Sequence, residues 1–179
     1  SKRRYGAPKI YKTLKKKWSA DITYIHTEKD GWTYLASVED LYSRKIIGWA
    51  FGKTMDAELA KKALKNASLN IKKTKGIILQ TDLGSQYTSN IFEEYLAELK
   101  IRHSYSRKGC PYDNSCIESF HSILKKEEVN LKKYKDFKEA YNAIFEFIEA
   151  WYNRERIHSC LNYKTPDEVH SEDEESFAA

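Results

Sequence analysis

The chain is poor in the residues that staple or punctuate a fold. Its three cysteines in 179 residues, an odd number at irregular spacing, argue against a disulfide framework. Seven glycines and three prolines leave no Pro/Gly-rich linker, repeat or low-complexity block after the first 17 residues. No run approaches the roughly 20 apolar residues of a membrane span. The basic N-terminal stretch has no apolar segment behind it, so it is not a secretory signal. Core-forming material is present: 41% of residues are apolar and 13% aromatic, against 32% charged, which excludes whole-chain disorder. Length and composition together describe one globular, cytoplasmic domain.

Charge is unevenly placed. The first 20 residues hold eight Lys and Arg and no acid, whereas residues 171–179 hold Glu172, Asp173, Glu174 and Glu175. The stretch between them is close to neutral, so a nucleic-acid surface there must be local. The basic end suits either a polyanion or plain solvation.

The hydrophobic period changes along the chain. Asp21–Thr27 is rich in β-branched and aromatic residues, and a Lys29-Asp30-Gly31 turn separates it from Trp32, Tyr34, Ala36 and Val38 at alternate positions, a hairpin. Lys45–Phe51 reads as a third strand, with further short strands at Gly76–Thr81 and Ile101–Ser106. Leu59, Ala60, Ala63, Leu64 and Ala67 mark one face of a helix, and Ile91, Phe92, Tyr95, Leu96 and Leu99 mark another. A third helix carries Ile117, Phe120 and Leu124. A last long one starts at Asp136 with Glu139 completing a capping box, and its periodicity predicts burial of Phe137, Tyr141, Ile144, Phe145, Ile148 and Trp151. The order β-β-β-α-β-α-β-α-α predicts a mixed α/β sheet covered by helices.

Three carboxylates fall where such a sheet gathers ligands. Asp21 is expected at the start of the first strand, Asp82 just past the fourth, and Glu118 in the first turns of the helix after the Gly-Cys-Pro loop. Carboxylates are the ligands of hard divalent ions such as Mg²⁺, and two such ions can stabilise both oxygens of a phosphoryl displacement. Locally each acid reads equally well as a cap or turn residue, and Asp40 and Asp113 qualify on the same grounds. The spacing favours the chosen three, with 60 residues between the first pair and 35 between the second.

These residues sit in stretches that resemble a family. Trp18–Ile25 (WSADITYI), Gly31–Leu35 (GWTYL), Glu39–Arg44 (EDLYSR), Ile47–Trp49 (IGW), Thr81–Ser89 (TDLGSQYTS), Ser106–Glu127 (SRKGCPYDNSCIESFHSILKKE) and Tyr152–Pro166 (YNRERIHSCLNYKTP) follow one another in the order found in a group of bacterial insertion-sequence transposases. That group, named after insertion sequence three, has a retroviral-integrase-like catalytic domain. The resemblance implies a ribonuclease H-like fold, a five-stranded mixed sheet flanked by helices, over residues 18–170. It also implies a DDE transposase with Asp21, Asp82 and Glu118 as catalytic, metal-binding residues and Mg²⁺ or Mn²⁺ as cofactor, two ions in the active complex. Its implied partners are DNA, at element ends and target, and further copies of the chain assembled on DNA, with no membrane. The implied reaction cleaves at an element end to expose a 3′-hydroxyl, which then attacks a second phosphodiester.

The family's basic residue seven positions beyond the Glu corresponds to Lys125. Seven positions are nearly two helical turns, so Lys125 shares a face with Glu118 about 10 Å away and can contact phosphate. Arg107, Lys108, Gln86 and Tyr87 are further candidates for DNA contact. Gly84 and Gly109 read as turn glycines with unusual φ, and Asn114 as the cap of the Glu118 helix. Arg154, Arg156 and His158 read as a cluster that pins its segment to the core or meets DNA. No C-x₂₋₄-C pair supports zinc, and no G-x-S-x-G motif supports a serine hydrolase.

Tyr5–Ile10 and Leu14 resemble part of the helical DNA-binding region that precedes this catalytic domain, but Trp18 follows Leu14 after far fewer residues than in the family. Residues 1–17 are therefore expected to be a basic remnant of that region, and residues 171–179 an acidic C-terminal tail. Two alternatives stand beside the transposase reading: a metal-dependent nuclease of the same fold, and a non-catalytic or truncated fragment that binds DNA.

Overall fold

The computed structural model describes residues 16–69, 71, 74–106 and 114–178, with side chains to residue 173. Five strands, β1 (Lys17–Thr27), β2 (Gly31–Asp40), β3 (Ile46–Gly52), β4 (Ile78–Thr81) and β5 (Arg102–Tyr105), form one sheet in the order β3-β2-β1-β4-β5. The first three are antiparallel neighbours joined by tight turns, while β1, β4 and β5 run parallel. The connections through α1 (Ala57–Ser68) and α2 (Asn90–Glu98) provide the crossovers that parallel pairing requires. This is the ribonuclease H-like arrangement that the resemblance implied.

Helices cover both faces. On one face, Leu59, Ala60, Ala63, Leu64 and Ala67 of α1, the set marked by periodicity, pack with Phe92 and Leu96 of α2 on Trp18, Ala20, Ala36, Val38 and Ala50. Ile91 of α2, expected on the buried side, is exposed. Gly48 lets α1 lie directly on β3: a Cβ there would stand 2.3 Å from the Ala67 nitrogen and 2.6 Å from the Ala63 oxygen. On the other face, α3 (Ser115–Glu127) and α4 (Phe137–Glu146) bring Phe120, Leu124, Ala140 and Ile144 onto Ile25, Leu35, Ile46, Trp49 and Phe51.

Local chemistry sets the helix starts. Asp56 and Asp136 accept from the Leu59 and Glu139 amides at 2.8 and 3.0 Å, and Ser89 from the Phe92 amide at 3.3 Å. Glu139 reaches back to the Lys135 amide at 2.6 Å, one residue ahead of the position a reciprocal box would use.

Three expectations need correction. β1 begins at Lys17, so Asp21 is its fifth residue and not its first. The last long helix does not keep one period: α4 passes into a π-helical turn over Phe147–Tyr152, with the Asn153 amide bonded to the Ile148 carbonyl at 3.1 Å. Ile144 and Ile148 are buried as expected, and the wider turn moves the last buried position from Trp151 to Tyr152; Tyr141 and Phe145, in the α-helical part before it, are exposed beside Trp49. A further helix, α5 (Pro166–Ala178), was not legible in the pattern and crosses the expected boundary at residue 170. Among the described residues no helix is long and apolar enough to cross a membrane.

Candidate active site

Register brings two of the three acids together. In the β1–β4 ladder Ser19 stands opposite Gln80, and two residues further along both chains come Asp21 and Asp82. Asp82, just past the carboxyl end of β4, therefore stands at the same level as Asp21 in the neighbouring parallel strand, and Asp21 points to the same face of β1 as Ser19. That face is the one covered by α3. There, Nδ1 of His121 lies 3.5 Å from Oδ2 of Asp21. His121 is one turn beyond Glu118, so the helix that carries the third acid is seated on the first. Glu118 itself is exposed. Among the described residues no three His, Cys, Asp or Glu side chains form a closed group able to hold a metal ion. The structure thus pairs Asp21 with Asp82 and brings the Glu118 helix alongside, without closing the trio.

The loop after β4 is built around Asp82. Its Oδ1 accepts from the Gly84 amide at 2.9 Å. Gly84 has no positive φ; a Cβ there would meet two side-chain ends, Gln86 Nε2 at 2.5 Å and Asp82 Oδ1 at 2.9 Å, and would have to push them aside. The expectation of an unusual φ at Gly84 is corrected on this point. Half-buried Gln86 consequently lies beside Asp82, where a polar contact to DNA was expected.

Tyr87 is a correction. It was a candidate for DNA contact, but it is 1% exposed and packs edge-on against Phe92 in the core below the sheet end. Its hydroxyl is buried with no hydrogen-bond partner. Burial, then the negative charges of Asp21 and Asp82, hold the phenol protonated well above the usual tyrosine range. Both carboxylates therefore lie within electrostatic reach of this one hydroxyl.

Asn114 occupies the cap position of α3, but its side chain makes no capping bond. Instead its Oδ1 accepts from Ser19 at 3.5 Å and Ser106 at 3.1 Å, so it clamps the start of α3 to β1 and to the residue after β5. The end of β4 is held as well. Thr81 Oγ1 lies 2.9 Å from His103 Nε2, and Glu93 takes His103 Nδ1 at 2.6 Å together with the Tyr105 hydroxyl.

The other candidates fall into place unevenly. Lys125 is half-buried, with Nζ 4.2 Å above the Tyr24 ring. Arg107 and Lys108, with Gly109 and Asp113, lie outside the described residues. Asp40 is structural: it accepts from the Ser43 amide and hydroxyl at 3.1 and 2.6 Å. Arg156 pins its segment as expected, donating to both Glu127 oxygens at 2.9–3.2 Å and lowering that carboxyl's pKa. Burial lowers His158 to about 4, so it is a neutral core residue. Neither Cys116 nor Cys160 is in a disulfide. Sequence reading missed His121, although its i+3 spacing from Glu118 was the available signal.

These donors fit a hard divalent ion. All three acids offer oxygen, and the unpartnered hydroxyl of Tyr87 and the imidazole of His121 stand near Asp21 as polar groups able to orient ligands.

Two models described as an integrase core domain match the chain, one over residues 14–111 and the other over residues 99–166. The chain belongs to the integrase core family. Among curated proteins, this integrase core is 42% identical over 151 residues to the transposase for insertion sequence element IS904 of Lactococcus lactis, covering 84% of the chain and 59% of that protein. It is 41% identical over 152 residues to transposase InsF for insertion sequence IS3A of Escherichia coli, covering 85% and 52%. The chain thus spans about half the length of the curated relatives it matches. The fold is shared with the HTLV-2 integrase catalytic core domain solved in complex with magnesium, at TM-score 0.63 and 19% identity over 86% of this chain and 95% of that one. It is also shared with the catalytic core domain of BIV integrase, at TM-score 0.64 and 17% identity over 91% and 98%.

Proposed function

We propose that this integrase core is the catalytic domain of an insertion-sequence transposase, a polynucleotidyl transferase that cleaves DNA and joins the new end to a second site. The carrying observation is that Asp21, within β1, and Asp82, just past the end of β4, stand at one level of neighbouring parallel strands, with the Glu118 helix seated on Asp21 through His121. The transposases that share about two-fifths of its residues support the same reading.

In this reading Asp21, Asp82 and Glu118 hold Mg²⁺ or Mn²⁺, two ions in the active complex. Bound there, the ions would supply positive charge to the attacking and leaving oxygens of the phosphodiester. The chain's own groups do the rest. Asn114 and the Thr81–His103–Glu93 network fix the elements on which the acids stand. Lys125 and Gln86, with Arg107 and Lys108, contact the DNA, and the lysine and arginine charges neutralise phosphate. Cleavage leaves a 3′-hydroxyl, and that hydroxyl displaces the 3′-oxygen of a second phosphodiester.

The partners in this reading are element-end and target DNA and further copies of the chain, in the bacterial cytoplasm at the nucleoid. The domain layout we infer is a basic segment over residues 1–17, a catalytic core from residue 18, and an acidic stretch from 171 carried on α5.

Asp82→Asn tests the reading. The amide is nearly isosteric but lacks the charge that holds a divalent ion. Cleavage and strand transfer in Mg²⁺ should be abolished, with folding and most DNA affinity retained; Mg²⁺-dependent cleavage by the variant would sink the assignment. A strand-transfer assay with pre-cleaved ends separates a transposase from a nuclease that cuts without joining.

A further inference from the structure

Beside Lys125, one set of exposed aromatic rings is unused by the chemistry above. Where the β1–β2 hairpin meets the end of α3, Tyr24 and Trp32 are each 55% exposed, and His26 is exposed beside them. The Trp32 ring stands edge-on to both, with centroids 5.1 Å from Tyr24 and 5.0 Å from His26. These rings line a groove of about 490 Å³ whose other wall carries Lys125, Lys133 and Lys132, the last paired with Glu128 at 2.9 Å, with Glu28 as the acid in the lining. Lys125 sits over Tyr24 and joins the two walls. Large rings held open to water beside an excess of lysine complement a ligand with flat apolar faces and a negative backbone.

The groove is also at a defined distance from the acids. Tyr24 is three residues beyond Asp21 along β1, about 10 Å at strand rise, and this odd spacing turns its ring to the other side of the strand, where Lys125 reaches it. Lys125 is seven beyond Glu118 along α3, again about 10 Å at helix rise. Both elements thus reach the groove over the same span, a few nucleotides from the acids.

We propose that this groove binds unpaired nucleotides of the DNA strand entering the active site, stacking bases on Trp32 and Tyr24 while Lys125 and Lys133 take the phosphates. The inference rests on the DNA-processing reading and adds to it. A duplex keeps its base faces stacked inside and offers proteins mainly phosphates and groove edges, so exposed rings gain little from it. A frayed or single strand offers every base face, whatever the sequence.

The test uses the full chain in EDTA, which stops cleavage. Fluorescence anisotropy measures affinity for a blunt duplex and for the same duplex carrying a five-nucleotide single-stranded tail on either strand. The wild-type chain should prefer one tailed duplex over the blunt one. Trp32→Ala should lose about tenfold on that tailed DNA and little on blunt DNA, Tyr24→Leu should behave similarly, and Trp32→Phe should restore most of the loss. Trp32 is largely solvent-exposed, so unchanged melting temperatures will confirm that each variant is folded. Equal affinity of Trp32→Ala and wild type for tailed DNA overturns the proposal. So does a variant that weakens self-association by light scattering without a tail-specific loss, which would make the face a contact between copies. A wild-type chain that binds no DNA in any form would instead count against the transposase reading itself.

Discussion

The Nδ1 atom of His121 lies 3.5 Å from Oδ2 of Asp21, tying the helix of one candidate ligand to the strand of another. Partners of this kind orient metal-binding carboxylates, and their loss typically costs 10–100-fold in affinity or activity. His121→Leu should therefore lower Mg²⁺-dependent cleavage by about that factor and raise the Mg²⁺ concentration needed for half-maximal rate. DNA affinity in EDTA should stay near wild type. A rate and a metal dependence both unchanged would show that the contact only packs α3 against β1.

Tyr87 should separate packing from polarity. Its ring fills the core under the sheet end, while its hydroxyl is buried without a partner. Tyr87→Ala should cost about 3–5 kcal/mol, the usual loss for a large aromatic core residue. Tyr87→Phe removes only the unpaired group, so metal-free stability should hold or rise by up to about 1 kcal/mol. Thermal melting of both variants in EDTA checks the pair of outcomes, and a strongly destabilised Tyr87→Phe would contradict an unpartnered hydroxyl.

Glu39 gives the fold a pH dependence of known sign. It is 1% exposed, and burial pushes its carboxyl up to about 8, against the pull of Arg44 at 3.9 Å. An unfolded glutamate titrates near 4.3. Between these values the native state keeps a proton that the unfolded chain has lost. Glu39's contribution is therefore full below about pH 4.3 and declines by up to about 1.4 kcal/mol per pH unit until about pH 8. His158, lowered to about 4, contributes the opposite slope between about pH 4 and 6.5. Denaturation midpoints of wild type and Glu39→Gln at pH 5, 7 and 8.5 isolate the Glu39 term: the variant should gain relative stability as pH rises.

Gly48 should tolerate no side chain. A methyl group there would meet the Ala67 nitrogen at 2.3 Å and the Ala63 oxygen at 2.6 Å, both helix backbone atoms that cannot turn aside. Gly48→Ala should cost at least about 1–3 kcal/mol and lower the melting temperature by several degrees. Gly31, with open space around its Cβ position, is a control for strain alone, since its φ is +71°.

Much of the fold was legible because period is a local property. Alternation marked the hairpin, and the five apolar residues named for α1 are the five it buries. Asp136 was readable as a cap because capping involves residues only three apart. The same locality explains the failures. A π-helical turn changes the period inside one helix, so a single-period reading that placed Ile144 and Ile148 in the core assigned Trp151 where Tyr152 is buried. Tyr87 follows Asp82 closely in sequence, yet the loop folds its ring inward under the strand ends.

By itself, the sequence determined that Asp82 follows a strand, that Glu118 lies in the first turn of a helix and which segments bury their faces, because these follow from side-chain type and spacing within a few residues. Only the tertiary structure decided that Asp21 and Asp82 share one level of neighbouring strands and that His121 rather than Glu118 touches Asp21. It also decided that Asn114 clamps two strands instead of capping its helix, and that Tyr24 and Trp32 remain open to water. Each of these depends on register and helix rotation, which are set by packing between segments far apart in the chain and leave no local pattern to read.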